Sequence, residues 1–132
     1  MTTRIYLVED HLMIQRTLTS FIERMAAFEV CGVARSAERA LELLPDAAPD
    51  LVLIDMSLPR MSGAELVREI RRRWPALLCV LLSGHGEQNY VQQAVAAGAK
   101  GYILKGKPAE LEPALKQIVA GEFYLSEGLR VP

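Results

Sequence analysis

Five side chains suited to phosphate and metal chemistry share one position in this sequence: each closes a short apolar run. "LVED" ends on Glu9 and Asp10, "LVLID" on Asp55, "VLLS" on Ser83 and "YILK" on Lys105. A single acid in such a place is most often a helix cap or a turn former. Three that converge are another matter, because unit charges about 4 Å apart repel by about 4 kcal/mol at an effective dielectric of about 20. A hard divalent cation, Mg2+ or Mn2+, offsets that repulsion while keeping water ligands for a phosphate; a raised carboxylate pKa is the plainer alternative. The hydroxyl of Ser83, the unshielded N–H of Gly84 and the flexible ammonium of Lys105 complete what phosphoryl transfer to an aspartate needs. Asp55 is then the in-line nucleophile beside its metal.

These residues converge only if the runs are neighbouring strands. Strand-length apolar runs recur at 5–8, 30–34, 51–54, 77–82 and 102–104, and between them the period becomes helical. Ile14, Leu18, Phe21, Ile22 and Met25 form one apolar stripe. Ser36 stands where it can cap a helix carrying Ala40, Leu41 and Leu44. Leu66, Val67, Ile70 and Trp74 follow Ser62 and Glu65, which have capping-box spacing, and Pro75 ends that helix. Gly98 closes a helix carrying Val91, Ala94 and Val95. Leu111, Leu115, Ile118 and Val119 make the last helix, begun near Pro108 and ended by Gly121. Five strand–helix units imply an α/β fold: a doubly wound five-stranded parallel sheet of order 2-1-3-4-5, flanked by five helices. Its ligand crevice lies outside the carboxyl ends of strands 1 and 3, where Glu9, Asp10 and Asp55 arrive. Strands 2 and 5 are the expected edges. Strands 2 and 4 lie about 14 Å apart in this order, which forbids a Cys31–Cys79 disulfide.

Composition agrees with one globular domain. The 132 residues are 51% hydrophobic and 23% charged, with formal net charge −1, which argues against a surface dominated by nucleic-acid binding. Arg71-Arg72-Arg73 reads as a solvated helix end rather than a phosphate-backbone contact. No apolar stretch approaches the ~20 residues of a membrane span, and the first residues carry too short an apolar run for a signal peptide. The two cysteines lack metal-site spacing. A cytoplasmic setting with no membrane contact is the expectation.

At these residues the sequence resembles a known family. "VEDH", "LIDMSLPRMSG", "LLSG" and "GAKGYILK" are similar to the signature segments of response-regulator receiver domains of two-component signalling. The resemblance spans essentially the whole chain, and "GAKGYILK" with "AGEFYLSEGL" is most like the NarL/FixJ subclass, which carries a LuxR-type helix-turn-helix output domain. It implies a flavodoxin-like receiver, a phosphoacceptor signalling domain that promotes only its own phosphorylation and dephosphorylation. By position, the resemblance implies that Asp55 is phosphorylated by a partner histidine kinase or phosphorelay protein. It implies that Asp10, Asp55 and the backbone carbonyl of Ser57 bind Mg2+ directly, and Glu9 through water. Ser83 and Lys105 would contact the phosphoryl oxygens, and Ser83 and Tyr102 would form the switch, with homodimerisation on phosphorylation through one of two helical faces. Glu9 stands where Asp is also common, and Leu12 where Pro is frequent. Gly106 follows Lys105 where many receivers carry a cis-linked Pro; without proline a cis bond costs ~3 kcal/mol or more, so a trans bond is expected.

Plainer readings stand beside these. From strand propensity alone Tyr102 is an edge-strand aromatic. His11 reads as a first-turn helix residue, and His85 as a loop histidine overhanging the phosphoryl pocket. "GHG" at 84–86 is too short for a phosphate loop. An aspartyl-phosphate hydrolase shares the nucleophile and metal, but its second acid, two residues after the first, is Ser57 here. A flavodoxin-like cofactor binder does not call for three acids, and neither a P-loop nor a dinucleotide fingerprint is present. The expected organisation is a receiver over 1–121 and a linker or extension over 122–132. Phe123, Tyr124 and Leu125 would pack on the last helix or a neighbour, and "SEGLRVP" would lead toward an output domain that makes the DNA contact.

Overall fold

The computed structural model describes residues 2–84 and 88–130. Along them run β1 (Thr3–Val8), α1 (Leu12–Glu23), β2 (Phe28–Ala34), α2 (Ala37–Ala47), β3 (Leu51–Asp55), α3 (Gly63–Arg73), β4 (Leu78–Ser83), α4 (Gln88–Ala97), β5 (Gly101–Leu104), α5 (Pro108–Val119) and β6 (Tyr124–Leu125). The strands make one sheet of order β2-β1-β3-β4-β5-β6, and every pairing is parallel. The expected order 2-1-3-4-5 is present, extended by a sixth strand.

Alternation along the strands builds two cores. Tyr6, Val8, Val52, Ile54, Leu81 and Tyr102 face α2, α3 and α4, while Ile5, Leu7, Leu51, Leu53, Val80, Leu82 and Ile103 face α1 and α5. β3 is buried along its whole length, as a central strand covered on both faces must be. β2 is only half-buried between its ends and is the edge that its broken apolar run implies.

Helix boundaries follow local chemistry. Ser62 Oγ accepts from the Glu65 N–H (3.2 Å) while the Glu65 carboxylate accepts from the Ser62 N–H (3.1 Å), the reciprocal box that the spacing predicts. Ser36 caps α2 through the Arg39 N–H. The arginine run closes α3, with Arg72 and Arg73 paired to Glu69 and Arg73 lying over the Trp74 ring at 6.0 Å. All peptide bonds among the described residues are trans, including Lys105–Gly106.

Two expectations need correction. β5 is not an edge, because Gly101 pairs with Tyr124 and Tyr102 with Leu125. Gly121, at φ 98°, turns the chain back after α5, and a two-residue strand is too short to show a period. Second, the residues from Ser126 onward stay on the body as far as Arg130 rather than leading away. Ser126 is buried, Leu129 packs on the α2–α4 face, and the Arg130 carbonyl accepts from Gln88 Nε2 (3.1 Å). Val119 lies in α5 as expected and is 42% exposed, because Ile118 takes the core position and its neighbour points about 100° away. Cys31 and Cys79 are both free, three strand positions apart in the sheet, and burial pushes the Cys79 thiol up to about 12.

Candidate functional site

The strand ends meet where the order reverses. β3 pairs with β1 as far as Ile54 and with β4 as far as Asp55. The Met56 N–H continues that ladder onto the Leu82 carbonyl (2.8 Å). Asp55 is thereby held between its neighbours at the mouth of the crevice, 2% exposed, and Glu9 is fully buried at the end of β1. Glu9 keeps its place because its N–H bonds the Ala34 carbonyl (3.0 Å).

Two such buried carboxylates need a cation, and Lys105 supplies one. Its N–H bonds the Ser83 carbonyl at 2.8 Å, which fixes its start beside β4. Gly106, at φ 95°, then turns the chain toward α5. The ammonium reaches back to Asp55 Oδ1 at 3.1 Å and Glu9 Oε1 at 3.2 Å. Asp55 Oδ1 also accepts from the Ser57 N–H (3.1 Å). Asp55 Oδ2, by contrast, is buried with no hydrogen-bond partner among the described residues. A buried acceptor of this kind is costly unless something addresses it.

The loop after β3 is shaped by Gly63. A Cβ there would stand 2.5 Å from the Asp55 carbonyl oxygen and 2.8 Å from Met56 Cα, so only glycine lets α3 start this close to the site. The Gly63 N–H bonds the Met56 carbonyl (3.1 Å), closing the turn around Asp55.

Glu9, Asp55, Ser83 and Lys105 therefore come together as expected. Ser83 is fully buried at the end of β4. Ser57 is exposed beside Asp55. Asp10 is half-buried, and its carbonyl accepts from Arg35 Nε (3.4 Å) and Nη2 (3.3 Å). Among the described residues, the side chains that could share one metal ion are Glu9, His11 and Asp55, with donor atoms within 4.8 Å of one another. Asp10 is outside that set. Tyr102 is not an exposed edge aromatic but fully enclosed, and His85 lies outside the described residues.

His11 is the residue that sequence reasoning missed. It sits not in the first turn of α1 but one position before it, as the N-cap, and makes no capping bond through its side chain. Its N–H and its Nδ1 instead address the same Glu9 oxygen, at 3.0 and 3.2 Å. The signal was its spacing, two residues after a buried acid. The donor set suits a hard divalent cation: two carboxylates, one with an orphaned buried oxygen. Beside Lys105 opens an apolar groove of about 360 Å³ between α1 and α5, lined by Met13, Ile14, Leu18, Ile103 and Leu111 among others.

The comparisons with known proteins point the same way. The family model described as "Response regulator receiver domain" matches residues 5–116. The chain is 35% identical over 126 residues to the nitrate/nitrite response regulator protein NarL of Escherichia coli K12, covering 95% of this chain and 58% of that protein. It is 34% identical over 123 residues to the DNA-binding transcriptional activator DevR/DosR of Mycobacterium tuberculosis, covering 92% and 57%. The chain thus spans somewhat under three fifths of these relatives. A LuxR-family two-component response regulator from Aurantimonas superposes with TM-score 0.92 at 34% identity, over 96% of this chain and 91% of that one. The receiver domain of a NarL response regulator from Mycobacterium tuberculosis superposes at 0.85 with 27% identity, over 92% and 98%.

Proposed function

The chain belongs to the response regulator receiver domain family, and from that premise we propose that Asp55 is its phosphoacceptor, loaded by a histidine kinase or phosphorelay protein. One observation carries the reading: Asp55 Oδ2 is buried, at the strand mouth and unpartnered among the described residues, while Oδ1 is held by Lys105 and the Ser57 N–H. One oxygen is anchored and the other is poised to attack. In the transfer, Oδ2 forms a bond to phosphorus as the bond to the donor's imidazole nitrogen breaks, and that nitrogen recovers the electron pair. The Ser83 hydroxyl and the Lys105 ammonium bind the phosphoryl oxygens, so that charge developing on them meets fixed donors. Glu9 and Asp55, with Asp10 and the Ser57 carbonyl, would hold a divalent cation, which would supply further charge neutralisation at the phosphoryl group.

Phosphorylation adds charge and acceptor oxygens at the end of β3. Ser83 and Lys105 are the groups able to answer it. Ser83 lies beside Leu104 in the β4–β5 ladder, one pair beyond Leu82 and Ile103. A shift at Ser83 is therefore transmitted along β5 to Tyr102 and the surface of α4 and α5. The fully enclosed Tyr102 is the inward state that this shift stabilises, and self-association changes with it. The output is transcriptional, through a DNA-binding module beyond this segment, in keeping with the named activities of the longer relatives.

The test is incubation with acetyl phosphate and Mg2+ followed by intact-mass measurement. One phosphoryl group is expected on the parent and none on Asp55→Asn. Equal labelling of the variant overturns the assignment, and turnover of small phosphoesters would favour a hydrolase instead.

A further inference from the structure

Lys105 uses only one oxygen of each buried carboxylate, Glu9 Oε1 and Asp55 Oδ1. The remaining oxygens are Glu9 Oε2, which faces His11, and Asp55 Oδ2, which has no partner among the described residues. The imidazole therefore stands over the carboxylate face that the ammonium does not occupy. It is held there by geometry rather than by helix capping, since the His11 side chain makes no capping bond while its backbone N–H bonds Glu9 Oε2 at 3.0 Å. Ligand atoms of Glu9, His11 and Asp55 lie within 4.8 Å of one another. Donors on opposite sides of one cation, each about 2.0–2.2 Å from it, lie up to about 4.4 Å apart. A small inward movement closes the set, and His11, with 63% of its side chain exposed, is free to make it.

We propose that His11 is a ligand of the divalent-cation site, making it a mixed nitrogen–oxygen site that favours later first-row divalent ions over Mg2+. The inference rests on the reading of Glu9 and Asp55 as the cation site. Its physical basis is ligand character. Mg2+ selects oxygen and dehydrates reluctantly, whereas affinity for imidazole rises from Mn2+ toward Ni2+. A receiver whose site is all oxygen has a shallower slope. One that carries an imidazole discriminates among the cations available to it, and its loading then depends on which of them is bound.

The experiment uses the untagged chain, with Mn2+, Ni2+ and Mg2+ as probes. Pulsed electron paramagnetic resonance of bound Mn2+ is expected to show imidazole nitrogen coupling in the parent. That coupling is lost in His11→Ala and His11→Asn but kept in His85→Ala, which removes the other histidine. By calorimetry, Ni2+ affinity falls at least about tenfold in the His11 variants, while Mg2+ affinity moves much less. Asn is a good N-cap, so that variant guards against loss of the helix start. Absence of nitrogen coupling in the parent, its persistence without His11, or its loss in His85→Ala each overturns the proposal. If Mg2+ still binds the parent and fails on Asp55→Asn, the phosphoacceptor reading survives that failure. If no divalent ion binds the parent, both fall together.

Discussion

At the scale of single residues, the site is a balance of charge in a water-poor crevice. Lys105 is the shared cation of two carboxylates whose side chains are 1% and 2% exposed. Its removal leaves both acids without their common partner, and breaking a buried pair from one side costs several kcal/mol. Lys105→Ala is therefore expected to lower unfolding free energy by about 3 kcal/mol in metal-free buffer. Saturating Mg2+ should restore part of that loss, because a divalent ion answers the same charges. Denaturant melts with and without Mg2+ check this. An equal loss in both conditions would show that Lys105 and the cation do not serve the same acids.

Elements hold that balance in place, and two contacts do so at close range. The start of α3 approaches the Asp55 backbone so nearly that a Cβ on Gly63 meets main-chain atoms at 2.5 and 2.8 Å. Backbone cannot yield as a flexible side chain does. Gly63→Ala should cost about 1–3 kcal/mol and slow phosphorylation by displacing Asp55; an unchanged melting temperature would contradict the contact. On the other side, Ser126 Oγ accepts from the Leu104 N–H at 2.8 Å and donates to the Glu110 carboxylate. The segment after α5 is thus fastened to the residue just before Lys105. Ser126→Ala leaves a buried N–H and a carboxylate oxygen unanswered, an expected loss of about 1–3 kcal/mol. Faster amide exchange at Leu104 would identify that bond as the one lost, and unchanged exchange would contradict it.

For the whole molecule, β6 is a late addition to the sheet, and its attachment is pH-sensitive in a determinable direction. Burial, with the adjacent Glu110 carboxylate second, pushes the Tyr124 hydroxyl up to about 12, against an ordinary value near 10. A group whose folded pKa is raised contributes stability that is fully present below the unfolded value and lost as pH rises through the folded one. The contribution of Tyr124 should hold below about pH 10 and disappear by about pH 12. Tyrosine absorbance titration is expected to show Tyr124 lagging the exposed phenols together with the buried Tyr6, and Tyr124→Phe should remove one phenol from that lagging amplitude. A lagging amplitude unchanged by Tyr124→Phe would mean that β6 does not shelter its tyrosine.

The chain's local patterns already determined the five central strand–helix units, the Ser36 and Ser62 caps and the fold class. Each is written in a periodicity or a fixed spacing a few residues long, and local sterics and capping bonds act over that range. The convergence of Glu9, Asp55, Ser83 and Lys105 was also legible, because parallel strands in the 2-1-3-4-5 order present their carboxyl ends on one side. Only the tertiary structure decided which oxygen each carboxylate gives to Lys105 and which one it leaves clear of that ammonium. It alone enclosed Tyr102 and made Tyr124–Leu125 a sixth strand. These outcomes depend on side-chain rotamers, burial and contacts between segments up to 96 residues apart. No period or spacing along the chain encodes such contacts, because packing selects among them only once the sheet has closed.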